Sequence, residues 1–295
     1  MIGDKVSQNI IKSVSYTVLI IMSLLCIFPL LMIISASFSE ENRVLIEGFS
    51  VLPRGFTLTA YKMVFKNPDT VVKAYITTIY TTLLGAGGGT LITAMAAYPL
   101  VRSSYKPRKI ITMFFLFTML FHGGAVSSYL VMSKYLHLQN NILVLIIPGM
   151  FSAYNCFVMR TYFNSIASEV IEAAKIDGAS EFKIFFSIVM PMSVVAVATI
   201  ALLKTLTYWN SWYNCMMFMT DEKNLTLQYY LYRTMSNIQE ILKSQESGIV
   251  VDTTELPNET ARMAMCVLAA GPMVFIFMFF QKYFVGGISV GSVKG

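Results

Sequence analysis

The chain has 295 residues, 56% hydrophobic and 13% charged, with a formal net charge of +6 and a mean hydropathy of +0.63. A soluble globular chain carries about 25% charged residues, so this composition excludes an ordinary soluble domain and points to a membrane protein. The basic residues are scattered rather than gathered in one run, which argues against a nucleic-acid partner and for charge that sets orientation in lipid.

A helix needs ~20 mainly apolar residues to cross a bilayer. Six segments qualify, at 14–35, 75–100, 109–130, 141–162, 185–210 and 263–281, and they predict an all-α polytopic chain. The first follows Lys5 and Lys12 and ends near Ser35 and Ser37, as a signal peptide would. A signal h-region runs about 7–15 residues, and this run exceeds it, so the segment reads as a retained anchor. The second span carries GAGGGT from Gly85 to Thr90; Gly85 and Gly89 form a GxxxG pair that Thr93 and Ala97 continue. Small side chains let helix backbones approach closely in lipid. No Lys-Ser/Thr follows, so this is not a phosphate loop. Pro29 and Pro191 fall inside spans, where neighbours can re-satisfy the freed backbone groups.

The loop Val101–Lys109 holds Arg102, Lys106, Arg108 and Lys109, whereas Val131–Asn140 holds only Lys134. The positive-inside rule puts the first in the cytoplasm and the second outside. Both termini, the loop 163–184 and the tail 282–295 are then cytoplasmic, and segments 36–74 and 211–262 face out. The second outer segment is long enough to touch an external partner.

All sixteen acidic residues lie outside the six spans, whereas ion-coupled carriers keep functional carboxylates in the membrane. The ionisable residues within spans are Lys204, His122 and, near an end, Arg160. There is no phosphate loop, HExxH or GxSxG, and no catalytic residue is assigned. Cys26, Cys156, Cys215 and Cys266 are far apart, and His122 and His137 are solitary, so no metal site is read. The sequons at Asn224 and Asn258 are read as chance.

Within the loop 163–184, Ser168 reads as an N-cap with Glu169 in the favourable first turn. Glu172 and Lys175 are placed to pair at i, i+3. Gly178 ends the helix as a glycine cap, and Ser180 caps the next helix from Glu181. On the residues alone two roles fit: an interfacial helix lying on lipid, or a knob offered to a cytoplasmic protein, with Ala173 and Ala174 permitting close approach.

The spacing here is Glu172-Ala173-Ala174, three residues, Gly178, nine residues, then Ile188-Val189-Met190-Pro191. It resembles the EAA, G and I-x-L-P pattern of permease subunits of bacterial ABC importers. Met190 stands for Leu, a volume-conserving change, and Asp177 and Ala179 complete a DGA common in sugar importers. The resemblance extends over the chain, to the shorter membrane subunit of the maltose-transporter type. FTLTAYKMVF (Phe56–Phe65), YWNSW (Tyr208–Trp212) and the tail Gln281–Gly295 also match.

The resemblance implies a type I ABC importer permease of the bacterial inner membrane, one permease domain over 1–295 with six spans and a cytoplasmic coupling helix. It implies four kinds of partner: a second homologous permease, an ATPase dimer that carries ATP and Mg, an extracytoplasmic solute-binding protein, and lipid. The chain itself would bind no cofactor and would not be an enzyme. Glu172, Ala173, Ala174, Asp177, Gly178 and Ala179 would dock the ATPase. Gly286, Gly287, Gly291, Lys294 and Gly295 would form a second contact, unless they are a frayed terminus. The solute implied is a carbohydrate, and LTLQYYLYRTM (Leu225–Met235) resembles the subgroup linked to acidic or branched oligosaccharides. Tyr208, Trp209 and Asn210 are candidate solute contacts, with an interfacial aromatic belt as the alternative. Lys204, at i, i+4 from Tyr208, either faces the path and pairs with an anionic solute, snorkels, or binds a neighbouring helix's carbonyls. A self-contained secondary carrier and a membrane scaffold or receptor are the rival functions.

Overall fold

Residues 2–246 and 258–291 are described in the computed structural model. Every regular element among them is helical, as lipid requires of a backbone that must satisfy its own polar groups. In chain order, α1 (Ile2–Ser37) precedes two short helices, α2 (Glu41–Glu47) and α3 (Thr59–Val64), and then α4 (Pro68–Val101). α5 (Arg108–Leu120) and α6 (Gly124–Leu130), the latter extended by a π turn, form a bent pair; so do α7 (Leu143–Ile146), with a 3-10 turn, and α8 (Ala153–Asn164). α9 (Ser168–Ile176) stands alone before α10 (Glu181–Ile184), a π turn and α11 (Met190–Met192), which together bend into α12 (Val194–Trp209). α13 (Tyr213–Phe218), α14 (Leu227–Glu246) and α15 (Glu259–Gly291) complete the chain.

Three unbroken helices are long and apolar enough to cross a membrane, and three bent pairs bring the number up to six where each pair is one span. These pairs are not the straight rods that the runs 109–130, 141–162 and 185–210 suggest. They bend by 115°, 49° and 82°. The first bend falls at Phe121–Gly123, next to Gly124 at φ +79, a left-handed conformation that favours glycine. The second follows Pro148 and Gly149 in the 3-10 turn. The third, at Ser193, follows Pro191, whose ring removes a backbone donor.

The chain divides into two compact units, Met1–Pro68 with Arg233–Gly271, and Asp69–Tyr232 with Pro272–Gly295. In the first, α1 is exposed from Ile11 through Leu31, as a lipid-facing helix would be, and its last turn, with Ser35, Ala36 and Ser37, is buried. At that end, Ser37 and Tyr61 share a hydrogen bond of 2.9 Å, and Phe38 stacks on Phe56. The Glu41 carboxylate accepts from the backbone N–H of Asn258, Glu259 and Thr260 at 2.9–3.2 Å, and from the Thr260 hydroxyl. It thereby caps the free donors at the start of α15.

In the second unit, α4 buries a face of small residues that includes Thr78, Gly85, Gly89, Thr93 and Ala97. The Thr90 and Thr93 hydroxyls return to the carbonyls four residues back, so these side chains satisfy their own donors. A core of Cys156, Met159, Phe163, Ile184, Phe185 and Ile200 fills one end. A second cluster, with Val144, Cys215, Phe218 and Leu225, fills the other.

Candidate functional site

α9 is amphipathic at short range. Ile171 and Ala174 are buried in the core, while Glu172, Ala173, Asp177 and Gly178 are exposed and Ala179 is half-buried. Ile176, four residues on from Glu172 on the same helix, is 87% exposed, and Phe182, just past the turn, is 70% exposed. Ser168 is already helical, and the flanking residue is Ala167, which caps nothing; this corrects the expected Ser168 cap. The C-terminal end follows the sequence reading. Gly178 has φ +74, its N–H reaches the Lys175 carbonyl, and Ala179 N–H reaches the Ala174 carbonyl, both at 3.0 Å. Those two bonds make a Schellman ending. Ser180 Oγ then accepts from Lys183 N–H and caps α10.

The expected pair of Glu172 with Lys175 is absent. Lys175 Nζ instead meets Glu181 Oε1 at 2.9 Å, and Glu172 makes no ion pair among the described residues. Glu181 Oε2 accepts from Tyr98 Oη at 2.6 Å and from Arg102 Nη2 at 3.1 Å, and Arg102 also donates to Tyr98 Oη at 2.7 Å. One carboxylate therefore ties the end of α9, the start of α10 and the end of α4. Burial pushes the Glu181 carboxyl up, but the hydrogen bonds from Tyr98, Lys175 and Arg102 outweigh it and hold the group down at about 2. A groove of about 370 Å³ beside this network is lined by Tyr98, Arg102, Tyr105, Phe182 and Phe185, among others.

The residues picked as solute contacts have other partners. Lys204 is 2% exposed, and its Nζ donates to the Met150 carbonyl at 2.8 Å and the Gly149 carbonyl at 3.1 Å. Tyr208 Oη donates to the Ile146 carbonyl. These carbonyls belong to the break between α7 and α8, so Lys204 and Tyr208 clamp a backbone that has lost its helical donors. Close approach makes the clamp possible. A Cβ on Gly85 would overlap the Tyr208 ring, and one on Gly89 would lie 2.8 Å from the Met150 carbonyl and 3.1 Å from Lys204. Trp209 is buried and lines an apolar pocket with Ile276 and Phe280. Asn210 ends α12, donates to the Leu206 carbonyl and accepts from Gln228. Gly286, Gly287 and Gly291 continue α15, while Lys294 and Gly295 lie outside the described residues.

A concavity of about 570 Å³ that sequence reasoning missed opens where α5 meets the start of α8. Its lining includes Phe114, Phe115, His122, Phe151, Ser152 and Tyr154. Phe115 tilts against Phe151 at 4.9 Å. The available signals were Gly123-Gly124 and Pro148-Gly149, since such dipeptides punctuate helices.

Residues 89–290 match the family model for the binding-protein-dependent transport system inner membrane component. The chain is 32% identical to the polygalacturonan/rhamnogalacturonan transport system permease protein YtcP of Bacillus subtilis (strain 168), over 95% of this chain and 96% of that one. It is 29% identical to the galactooligosaccharides transport system permease protein GanQ of the same organism, over the full length of both. Among solved structures, a bacterial ABC transporter involved in import of the acidic polysaccharide alginate has a chain that matches with a TM-score of 0.78. That match has 28% identity and covers 94% of this chain and 98% of that one.

Proposed function

Because this chain belongs to the binding-protein-dependent transport system inner membrane component family, we propose that it is the permease subunit of an ATP-driven oligosaccharide importer. The observation that carries the reading is the α9 knob. Its Schellman ending fixes Gly178, its buried face anchors it, and Glu172, Ala173 and Ile176 remain free to meet another protein. An ATPase docks there, with ATP and Mg bound on that subunit and none on this chain. The loops 101–109 and 163–184 and both termini face the cytoplasm, in keeping with the Lys and Arg of 101–109. The outer segments 36–74 and 211–262 receive a solute-binding protein, and a second homologous permease supplies the other half of the path. ATP binding closes the ATPase dimer and turns the path outward; hydrolysis returns it inward. Each step needs contacts that differ between states, which is what a rigidly held knob provides. Relatives named for polygalacturonan/rhamnogalacturonan and for alginate support an acidic oligosaccharide as the solute.

The test is coexpression with candidate ATPase, permease and binding-protein subunits, followed by copurification and reconstitution. The expected result is an assembled complex whose ATPase activity rises with loaded binding protein and whose uptake of trigalacturonate needs ATP. Uptake by this chain alone without ATP would establish a secondary carrier. Failure to recruit an ATPase would leave the scaffold.

A further inference from the structure

The bends at Phe121–Gly123 and Met150–Ser152 fall near the middle of their spans, and residues from both breaks line one concavity of about 570 Å³. Irregular backbone at membrane depth is tolerated where protein covers it or where it lines a water-filled cavity. Broken, glycine- and proline-interrupted spans accordingly mark solute sites in transporters. His122 lies in the first break and is exposed. No acidic residue occurs between Arg108 and Asn164, so neither bent pair offers it a carboxylate. An ionisable group at that depth is costly against lipid, and water or a polar ligand relieves the cost. Around it, Phe115 and Phe151 form an aromatic floor, and Phe114 and Tyr154 stand exposed at the rim.

Aromatic faces with a few convergent polar groups, in a cavity of ~300–1,000 Å³, are the pattern of small-molecule sites. A pyranose ring fits it chemically. Its C–H face packs on an aromatic ring, and its hydroxyl or carboxylate groups hydrogen-bond His122, Ser152 and the Tyr154 hydroxyl. We infer that this concavity is a saccharide subsite on the translocation path. The inference rests on the importer reading and goes beyond it by moving the solute contacts away from Lys204 and Tyr208, whose polar atoms are already engaged.

The test uses the complete importer in proteoliposomes, with trigalacturonate and galactotriose as probes. Tyr154→Ala lowers uptake of both by about tenfold, the loss expected from removing one good contact. His122→Ala lowers trigalacturonate uptake more than galactotriose uptake, while the yield of assembled complex is unchanged in both variants. A second measurement does not depend on uptake. His122→Cys reacts with a charged methanethiosulfonate reagent above the background of exposed Cys26 and Cys266, and saturating trigalacturonate slows the reaction. Uptake of both probes within twofold of the unsubstituted importer, or a thiol that the reagent does not reach, overturns the inference. If the unsubstituted importer takes up neither saccharide, the carbohydrate reading itself falls and takes the subsite with it.

Discussion

Replacing Lys204 by Met keeps an unbranched side chain, one atom shorter, and removes the ammonium that bonds the break between α7 and α8. Two hydrogen bonds go with it, to Met150 at 2.8 Å and Gly149 at 3.1 Å. In a soluble protein an unpaired buried polar group costs about 1–3 kcal/mol. Hydrogen bonds between helices in a membrane average ~0.6 kcal/mol and reach ~1.7, because the unfolded chain in lipid also finds partners. The membrane values apply here, so two bonds amount to about 1–3 kcal/mol. The loss is local, and hydrogen exchange at residues 147–153 reads it directly. Opening of that segment should rise about 5- to 140-fold in Lys204→Met, with exchange in α4 away from Gly89 unchanged. Unchanged exchange at 147–153 would refute the clamp. If uptake were lost at the same time, Lys204 would serve the solute instead.

At the knob, Glu172→Lys should leave insertion and complex stability unchanged while ATPase activity no longer follows uptake, measured side by side in proteoliposomes. Gly178→Asp should do the same at a cost of about 1–2 kcal/mol for a left-handed non-glycine residue. The Glu181 network carries a pH signature. Its folded value of about 2 lies below the ordinary 4.5, so its contribution is complete above pH 4.5 and is lost as pH falls towards 2. The difference in thermal stability between the unsubstituted chain and Glu181→Gln should hold steady from about pH 8 to 5 and close below that. A constant difference down to pH 2 would mean the carboxylate charge is not what binds Arg102 and Lys175. Finally, Gly85→Ala drives a methyl into the Tyr208 ring and should cost about 1–3 kcal/mol as overpacking. Tyr208→Ala in the same chain should recover part of that, as a double-mutant cycle on unfolding would register.

Six spans were legible because runs of twenty apolar residues have no other use, and the turn at Gly178 because glycine in that place has a specific backbone role. The bends were not read, although FHGG (Phe121–Gly124) and PG (Pro148-Gly149) were in view, because a hydropathy window averages across them. Lys175 was assigned to Glu172 on spacing alone. Such an exposed i, i+3 pair is worth only ~0.2–0.5 kcal/mol, and beyond the glycine turn Glu181 offers a carboxylate already gathered by Tyr98 and Arg102. Spacing along one helix cannot show a competitor that the fold brings in. The same blindness applies to Lys204. Its position four residues before Tyr208 marked a shared face, but the carbonyls opposite are 54 and 55 residues away in sequence.

The Glu41 cap has a consequence for biosynthesis. Glu41 and Asn258 are 217 residues apart, and translation at ~5–20 residues per second puts about 10–40 s between them. For that interval the carboxylate waits without its four donors, so the first unit cannot close until the final span has begun to emerge. The earliest part of the chain to be made is thus among the last to be finished. A chain stopped short of α15 should therefore be recognisable by an unprotected segment around α2, the region where quality-control proteolysis would strike first.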